Sequence, residues 1–155
     1  MRSTMLDMDS RLRVARAIAK DETQASIGVF RLLQQRGHPA SPPPTLSDGW
    51  GGIDEAMVAV YGLVPKYQGR GRPPTRKKPG ADWLYLPLVK PCDAQGRFQG
   101  TQLRVIFGTT AEMVALLGQS TAYIERSHLT SCLFKGRQVR KTLAFSKDLQ
   151  AYFSS

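Results

Sequence analysis

At 155 residues the chain is sized for one domain with an ordinary buried core. Its formal net charge of +10 and pI near 10.1 point to a polyanionic partner, nucleic acid before an anionic membrane surface. No apolar run approaches the roughly 20 residues that cross a bilayer, and the opening MRSTMLDMDSR lacks a signal-peptide core. These features exclude a membrane protein and predict a cytoplasmic, nucleoid-associated chain.

The elements follow in chain order. Residues 5–8 are apolar apart from Asp7 and turn at Asp9-Ser10; in 12–19 Leu12, Arg13 and Val14 alternate, with Arg16 and Ile18 following two apart, and the period of two read here predicts a β-hairpin. Asp21 is the predicted N-cap of a helix over 23–35, with Ile27, Phe30 and either Leu33 or Leu32 on helical spacing and Gly37 as its stop. The run ASPPPT is a stiff extended connector into Leu46-Ser47-Asp48. A second helix is predicted over 53–61, with Ile53, Met57 and Val60 on one face and Asp54 as a solvated residue.

Composition changes at residue 64. The stretch VPKYQGRGRPPTRKKPG carries Lys66, Arg70, Arg72, Arg76, Lys77 and Lys78 and no acid, and its prolines and glycines forbid a helix or a central strand. It predicts a basic loop; GRGRPPTRKK resembles the short hooks that enter AT-rich minor grooves, although solvated linkers share this composition. Residues 82–90 and 102–107 predict a second hairpin, joined by the turn-rich PCDAQGRFQGT. A capped helix over 109–117 closes at Gly118, and a last helix starts at Thr121, breaks near Gly136 and ends in a basic tail. Together these elements predict an α/β domain, a mixed sheet flanked by helices. Cys92 and Cys132 belong to no CxxC pair and only His38 and His128 accompany them, so no zinc site is expected. Trp83 and Trp50 fit core or rim packing better than base stacking.

Asp7, Asp48 and Glu125 each occupy a distinct setting: a strand end, the end of a short apolar run, and the head of a basic helical segment. Three carboxylates brought together would offer the hard oxygen ligands that Mg2+ or Mn2+ prefer. A two-metal site of this kind, with ions about 3.5–4 Å apart, stabilises both the attacking and the leaving oxygen of a phosphodiester. The intervals are 41 residues from Asp7 to Asp48 and 77 from Asp48 to Glu125, the second filled by the basic loop and second hairpin.

The stretches LDMDSRLRVARAIAKDET, SDGW and YIERSHLTSCLFKGRQVRKTLAFSK resemble the DDE transposases of bacterial insertion sequences, above all the group named for the first-numbered insertion sequence. The resemblance implies an incomplete RNase H-like fold with a basic loop and hairpin insertion. It implies catalytic, metal-binding roles for Asp7, Asp48 and Glu125, with Asp9 as the alternative to Asp7. It implies a Mg2+ or Mn2+ pair, cleavage and strand transfer at transposon ends, a double-stranded DNA partner, and a homo-oligomer as one assembly. There are three departures: relatives carry a DNA-binding region before the first acid, they continue beyond LAFSK, and Cys132 stands seven residues after Glu125 where they place a basic side chain. A truncated, impaired copy is therefore expected. The plainer alternative is a non-catalytic DNA-binding module, held by Arg70, Arg72, Arg76, Lys77 and Lys78 of the loop and by Lys135, Arg137, Arg140 and Lys141 near the C-terminus.

Overall fold

Strands β1 (Arg2–Leu6) and β2 (Arg13–Ile18) form the expected antiparallel hairpin, with Ser3 opposite Ala17 and Met5 opposite Ala15. The register shifts between Met5 and Leu6, which leaves Val14 as an extra residue on β2. Its carbonyl accepts a hydrogen bond from the Arg36 guanidinium at 2.7 Å. This computed structural model describes residues 1–48, 51–69, 71–100 and 102–117, with Ala122, Glu125, Arg126, Leu129 and Thr130. The chain divides into two units, 1–121 and 122–155.

Helix α1 (Glu22–Arg36) begins where its sequence signals lie. Asp21 accepts from the Gln24 amide at 2.8 Å, and the Gly37 amide donates to the Leu33 carbonyl at 3.2 Å. Ala25, Val29, Phe30 and Leu33 form its buried face. At Gly28 a Cβ would sit 2.8 Å from the Ala17 Cβ, so the helix lies against β2 at a distance that only glycine allows.

Strand β3 (Thr45–Asp48), helix α2 (Ile53–Tyr61) and strand β4 (Tyr85–Val89) form a parallel β-α-β unit, with Thr45 opposite Tyr85 and Asp48 opposite Leu88. Strand β5 (Gln102–Leu103) pairs antiparallel with β4, giving a mixed sheet of order β3-β4-β5. The domain is therefore of the α/β class. The second hairpin is shorter than the strand expected over 102–107, and Pro87 accounts for this. Its carbonyl accepts from Arg104, but proline has no amide to return on that edge. Pairing resumes only at Tyr85, whose amide donates to the Phe107 carbonyl at 2.9 Å. Helix α3 (Thr110–Leu117) starts after Thr109, whose hydroxyl accepts from the Glu112 amide and donates to the Glu112 carboxylate.

One core joins both sheets. Phe30, Met57, Tyr61, Trp83 and Tyr85 are buried together with Ala15, Val29 and Leu33. Four aromatic contacts run through it: Phe30 to Tyr61 at 6.4 Å, Tyr61 to Trp83 at 6.4 Å, Trp83 to Phe107 at 5.6 Å and Phe107 to Tyr85 at 6.4 Å. The first three are edge-to-face, the arrangement that the ring quadrupole favours.

In the second unit the five described residues are helical, and Glu125, Arg126 and Leu129 are exposed. The expected stop at Gly118, the break near Gly136 and the basic tail lie outside the described residues. Among those described, no helix is long and apolar enough to cross a membrane.

Truncating the core and the cap should differ in cost. Phe30→Ala should lower the unfolding free energy by about 3–5 kcal/mol and Asp21→Ala by about 1 kcal/mol, read by urea denaturation. Equal losses would contradict the placement of Phe30 at the centre of the core.

Candidate functional site

Two features carry chemistry in the first unit: an acidic corner and a basic loop, at opposite ends of α2.

The corner is built by the end of β3. Ser47 and Tyr85 are buried, and their hydroxyls lie 2.9 Å apart. The Ser47 hydroxyl also donates to the Asp48 carbonyl at 3.0 Å. A serine hydroxyl has one proton, so Tyr85 must be the donor of the pair. A chain of hydroxyls thus runs from the core to the strand end and orients Asp48, whose side chain is exposed. Asp54, in the first turn of α2, is half-buried, and its Oδ1 is closed off from solvent with no hydrogen-bond partner. The solvated position expected from sequence is thus only partly so: one of the two carboxylate oxygens is shielded. The Tyr85 hydroxyl is pushed above its ordinary value first by burial and further by the negative charges of Asp54 and Asp48. Both carboxylates are therefore within electrostatic reach of one buried phenol.

Asp7 lies elsewhere. It leaves β1 at the hairpin turn, where the Ser10 amide donates to its Oδ2 at 2.9 Å and the Ser10 hydroxyl donates to the same oxygen. These bonds hold its pKa below the ordinary aspartate value, the hydroxyl more than the amide. Its own amide donates to the Leu12 carbonyl at 2.9 Å, and Arg11 completes the turn at a φ of 60°. Asp7 thus has a turn-forming role that the sequence reading did not assign. Asp9 is exposed in the same turn. Asp7 and Asp48 belong to different sheets, and Glu125 to the second unit. Among the described residues, no group of three or more His, Cys, Asp or Glu side chains is placed to hold a metal ion. Asp48 and Asp54 are the acids that share a corner, and two carboxylates do not by themselves fit the Mg2+ or Mn2+ pair that the resemblance implies.

The basic loop leaves α2 at Tyr61 and returns at Trp83, and these two rings are in contact at its base. Above them Leu63 and Lys78 exchange backbone hydrogen bonds of 3.1 and 2.9 Å. The Lys77 ammonium donates to the Ala59 carbonyl at 2.6 Å, in the last turn of α2, where a cation complements the helix dipole. Near the tip, the Tyr67 hydroxyl donates to the Gly71 carbonyl at 2.9 Å across a turn in which Gly69 and Gly71 take φ of 78° and 76°. Lys66, Arg72, Arg76, Lys77 and Lys78 are all exposed. Arg70 lies outside the described residues, as do Lys135, Arg137, Arg140 and Lys141. A shallow cleft of about 390 Å³, lined by Asp54, Glu55, Val58, Ala59, Lys77 and Phe107, follows α2 from the corner to the loop base.

Comparison with protein families, with curated proteins and with solved structures finds no match. The site is therefore read from its own chemistry. Three of its members escaped the sequence reading. Tyr85 and Ser47 meet through non-local parallel pairing, which leaves no local signal. Tyr67 is a single aromatic residue in a basic stretch, and only the loop closure gives it meaning. For Asp7 a signal did exist: a serine three residues later is the spacing of a side-chain-closed turn.

The two acids should respond differently to substitution. Asp7→Ala should lower the thermal midpoint, because Ser10 loses its acceptor, whereas Asp48→Ala should leave it within the range of an ordinary surface change. Tyr85 makes a pH prediction. A phenol whose folded pKa lies above its unfolded value of about 10 stabilises the fold fully below that value, and the contribution fades as pH rises through the folded pKa. Tyr85→Phe should therefore cost about 1 kcal/mol at neutral pH and flatten the alkaline loss of stability seen by circular dichroism. An unchanged alkaline limb would contradict the burial of the Tyr85 hydroxyl.

Proposed function

We propose that this chain binds duplex DNA as part of an insertion-sequence transposase of the DDE type, an enzyme of metal-dependent phosphodiester cleavage and strand transfer. The observation that carries the DNA reading is the basic loop: six cations without an acid, on a segment whose base is pinned by a ring contact, a backbone bridge and a lysine staple. Holding a flexible cationic segment in place lowers the entropy cost of ordering it against phosphates.

The transposase reading draws on the resemblance of SDGW and of the segment around Glu125. Two features of the fold favour it. Asp48 stands at the carboxyl end of a parallel strand, where open α/β sheets place their ligands. The hairpin β1-β2 and the sheet β3-β4-β5 share one core, while β1 and β3 each have a second edge that pairs with no strand among the described residues. An RNase H-like arrangement is a single mixed sheet with helices packed on it, and a shared core is what such a sheet requires. On this reading Asp48 is the ligand best presented, Glu125 is the third acid that the resemblance implies, and Asp7 serves the turn as well as any metal. The metal would supply Lewis-acid stabilisation of the phosphodiester oxygens. Asp54 would add negative charge beside Asp48, and Tyr85 and Ser47 would hold the strand end still.

Two measurements test this. Fluorescence anisotropy on a labelled duplex should show affinity falling steeply with salt. Neutralising Arg72, Arg76, Lys77 and Lys78 together should flatten the log–log slope by about 0.9 for each phosphate these side chains neutralise in the parent. A slope unchanged by the four substitutions removes the loop from the interface. With Mn2+ present, nicking of supercoiled DNA by the parent and not by Asp48→Ala supports the catalytic reading. Binding without nicking by either favours the second reading, a non-catalytic DNA-binding module.

A further inference from the structure

Tyr67 is 52% exposed although its hydroxyl is tied down to Gly71. The hydrogen bond fixes the ring and leaves much of it open. Its surroundings are cationic, with Lys66 next to it and Arg72 and Arg76 on the returning limb. In the same loop Leu63 and Val64 are also open, at 76% and 50%. A tethered aromatic ring in a cationic loop matches the two components of single-strand recognition: a positive track for the backbone and a π-face for the bases. A paired base inside a duplex already has both faces stacked, so such a ring gains nothing from it beyond phosphate attraction. An unpaired base has a free face.

We propose that the loop 63–78 is a single-stranded-DNA site in which Tyr67 stacks on an unpaired base while Lys66, Arg72 and Arg76 hold the flanking phosphates. The proposal rests on the nucleic-acid reading above and specifies the form of DNA the loop prefers. The closure of the loop gives the ring its place. Tyr61 and Trp83 fix both ends, and the Leu63–Lys78 bridge carries that constraint upward. At Gly62 a Cβ would lie 2.4 Å from the Val58 carbonyl and 2.9 Å from the Lys77 Cβ, so the loop base admits no larger residue without opening. The stacking ring therefore stands on a rigid foundation, and the entropy of ordering it is spent in folding rather than in binding.

The test compares three probes with the full chain at fixed salt: a labelled oligo-dT, a duplex of matched charge, and heparin, a polyanion without bases. The parent should prefer oligo-dT to the duplex. Tyr67→Ala should weaken oligo-dT binding roughly tenfold or more and leave duplex and heparin binding within about twofold of the parent, as ordinary surface truncations do. Tyr67→Phe keeps the π-face but loses the hydroxyl tie to Gly71, so its oligo-dT affinity should fall between those of the parent and Tyr67→Ala. Because Tyr67 lies on an exposed loop, both variants should unfold at the parent's thermal midpoint. Equal weakening on all three probes would mean that the ring merely supports the loop, and undiminished oligo-dT binding would mean that no base stacks there; either overturns the proposal. A parent that binds oligo-dT no better than duplex also overturns it, while leaving the duplex reading intact. A parent that binds none of the probes ends both.

Discussion

The contact between Tyr61 and Trp83 is the constraint from which the site derives. Tyr61 ends α2, Trp83 precedes β4, and among the described residues of the loop between them the one secondary-structure feature is a single bridge. Their rings meet edge-to-face inside a core that already contains Phe30 and Tyr85. A cationic segment rich in proline and glycine would otherwise be a linker of many conformations. Here its two ends are buried in one cluster, so its charges stand over one end of α2. The same cluster positions the other end of that helix: β4 carries Tyr85, Tyr85 holds Ser47, and Ser47 holds the backbone of Asp48. Acid and base are thus placed by one set of aromatic contacts.

The acidic corner and the basic loop pull in opposite electrostatic directions, and their separation along α2 makes this tolerable. Asp54 and Glu55 occupy the first turn of the helix, where negative charge is favoured, and Lys77 is fastened to the last, where positive charge is favoured. A polyanion attracted to the loop would be repelled at the corner unless a cation neutralised it. This polarity suits the proposed phosphodiester chemistry, in which the protein's cations would bind at one place and a carboxylate would meet a bound cation at another.

Much of the fold was legible because its signals are local. Asp21 and Gly37 bracket α1, the alternation over 12–19 marks β2, and the bounds of α2 agree with the sequence reading. What failed to show was non-local. The shortening of β5 depends on Pro87, a residue on its partner strand. The burial of one Asp54 oxygen depends on what α2 packs against, and its apolar spacing says nothing of that. The parallel pairing of β3 with β4 joins segments separated by the whole basic loop, so the Tyr85–Ser47 bond could not be read from either. Of the candidate site, Asp48 and the loop cations were legible from residue type and setting. The turn role of Asp7 was written in its spacing to Ser10 and was overshadowed by the interest of a carboxylate at a strand end.

The central claim is that the pinned loop between Tyr61 and Trp83 is where this chain meets nucleic acid. Amide NMR of the full chain, titrated with a short DNA, tests it directly. The account predicts that amides over 63–78 shift first and furthest, that those at the start of α2 respond less, and that those of the Asp7 turn stay in place. Shifts confined to the β1-β2 hairpin or to the second unit, with the loop amides unmoved, would contradict it.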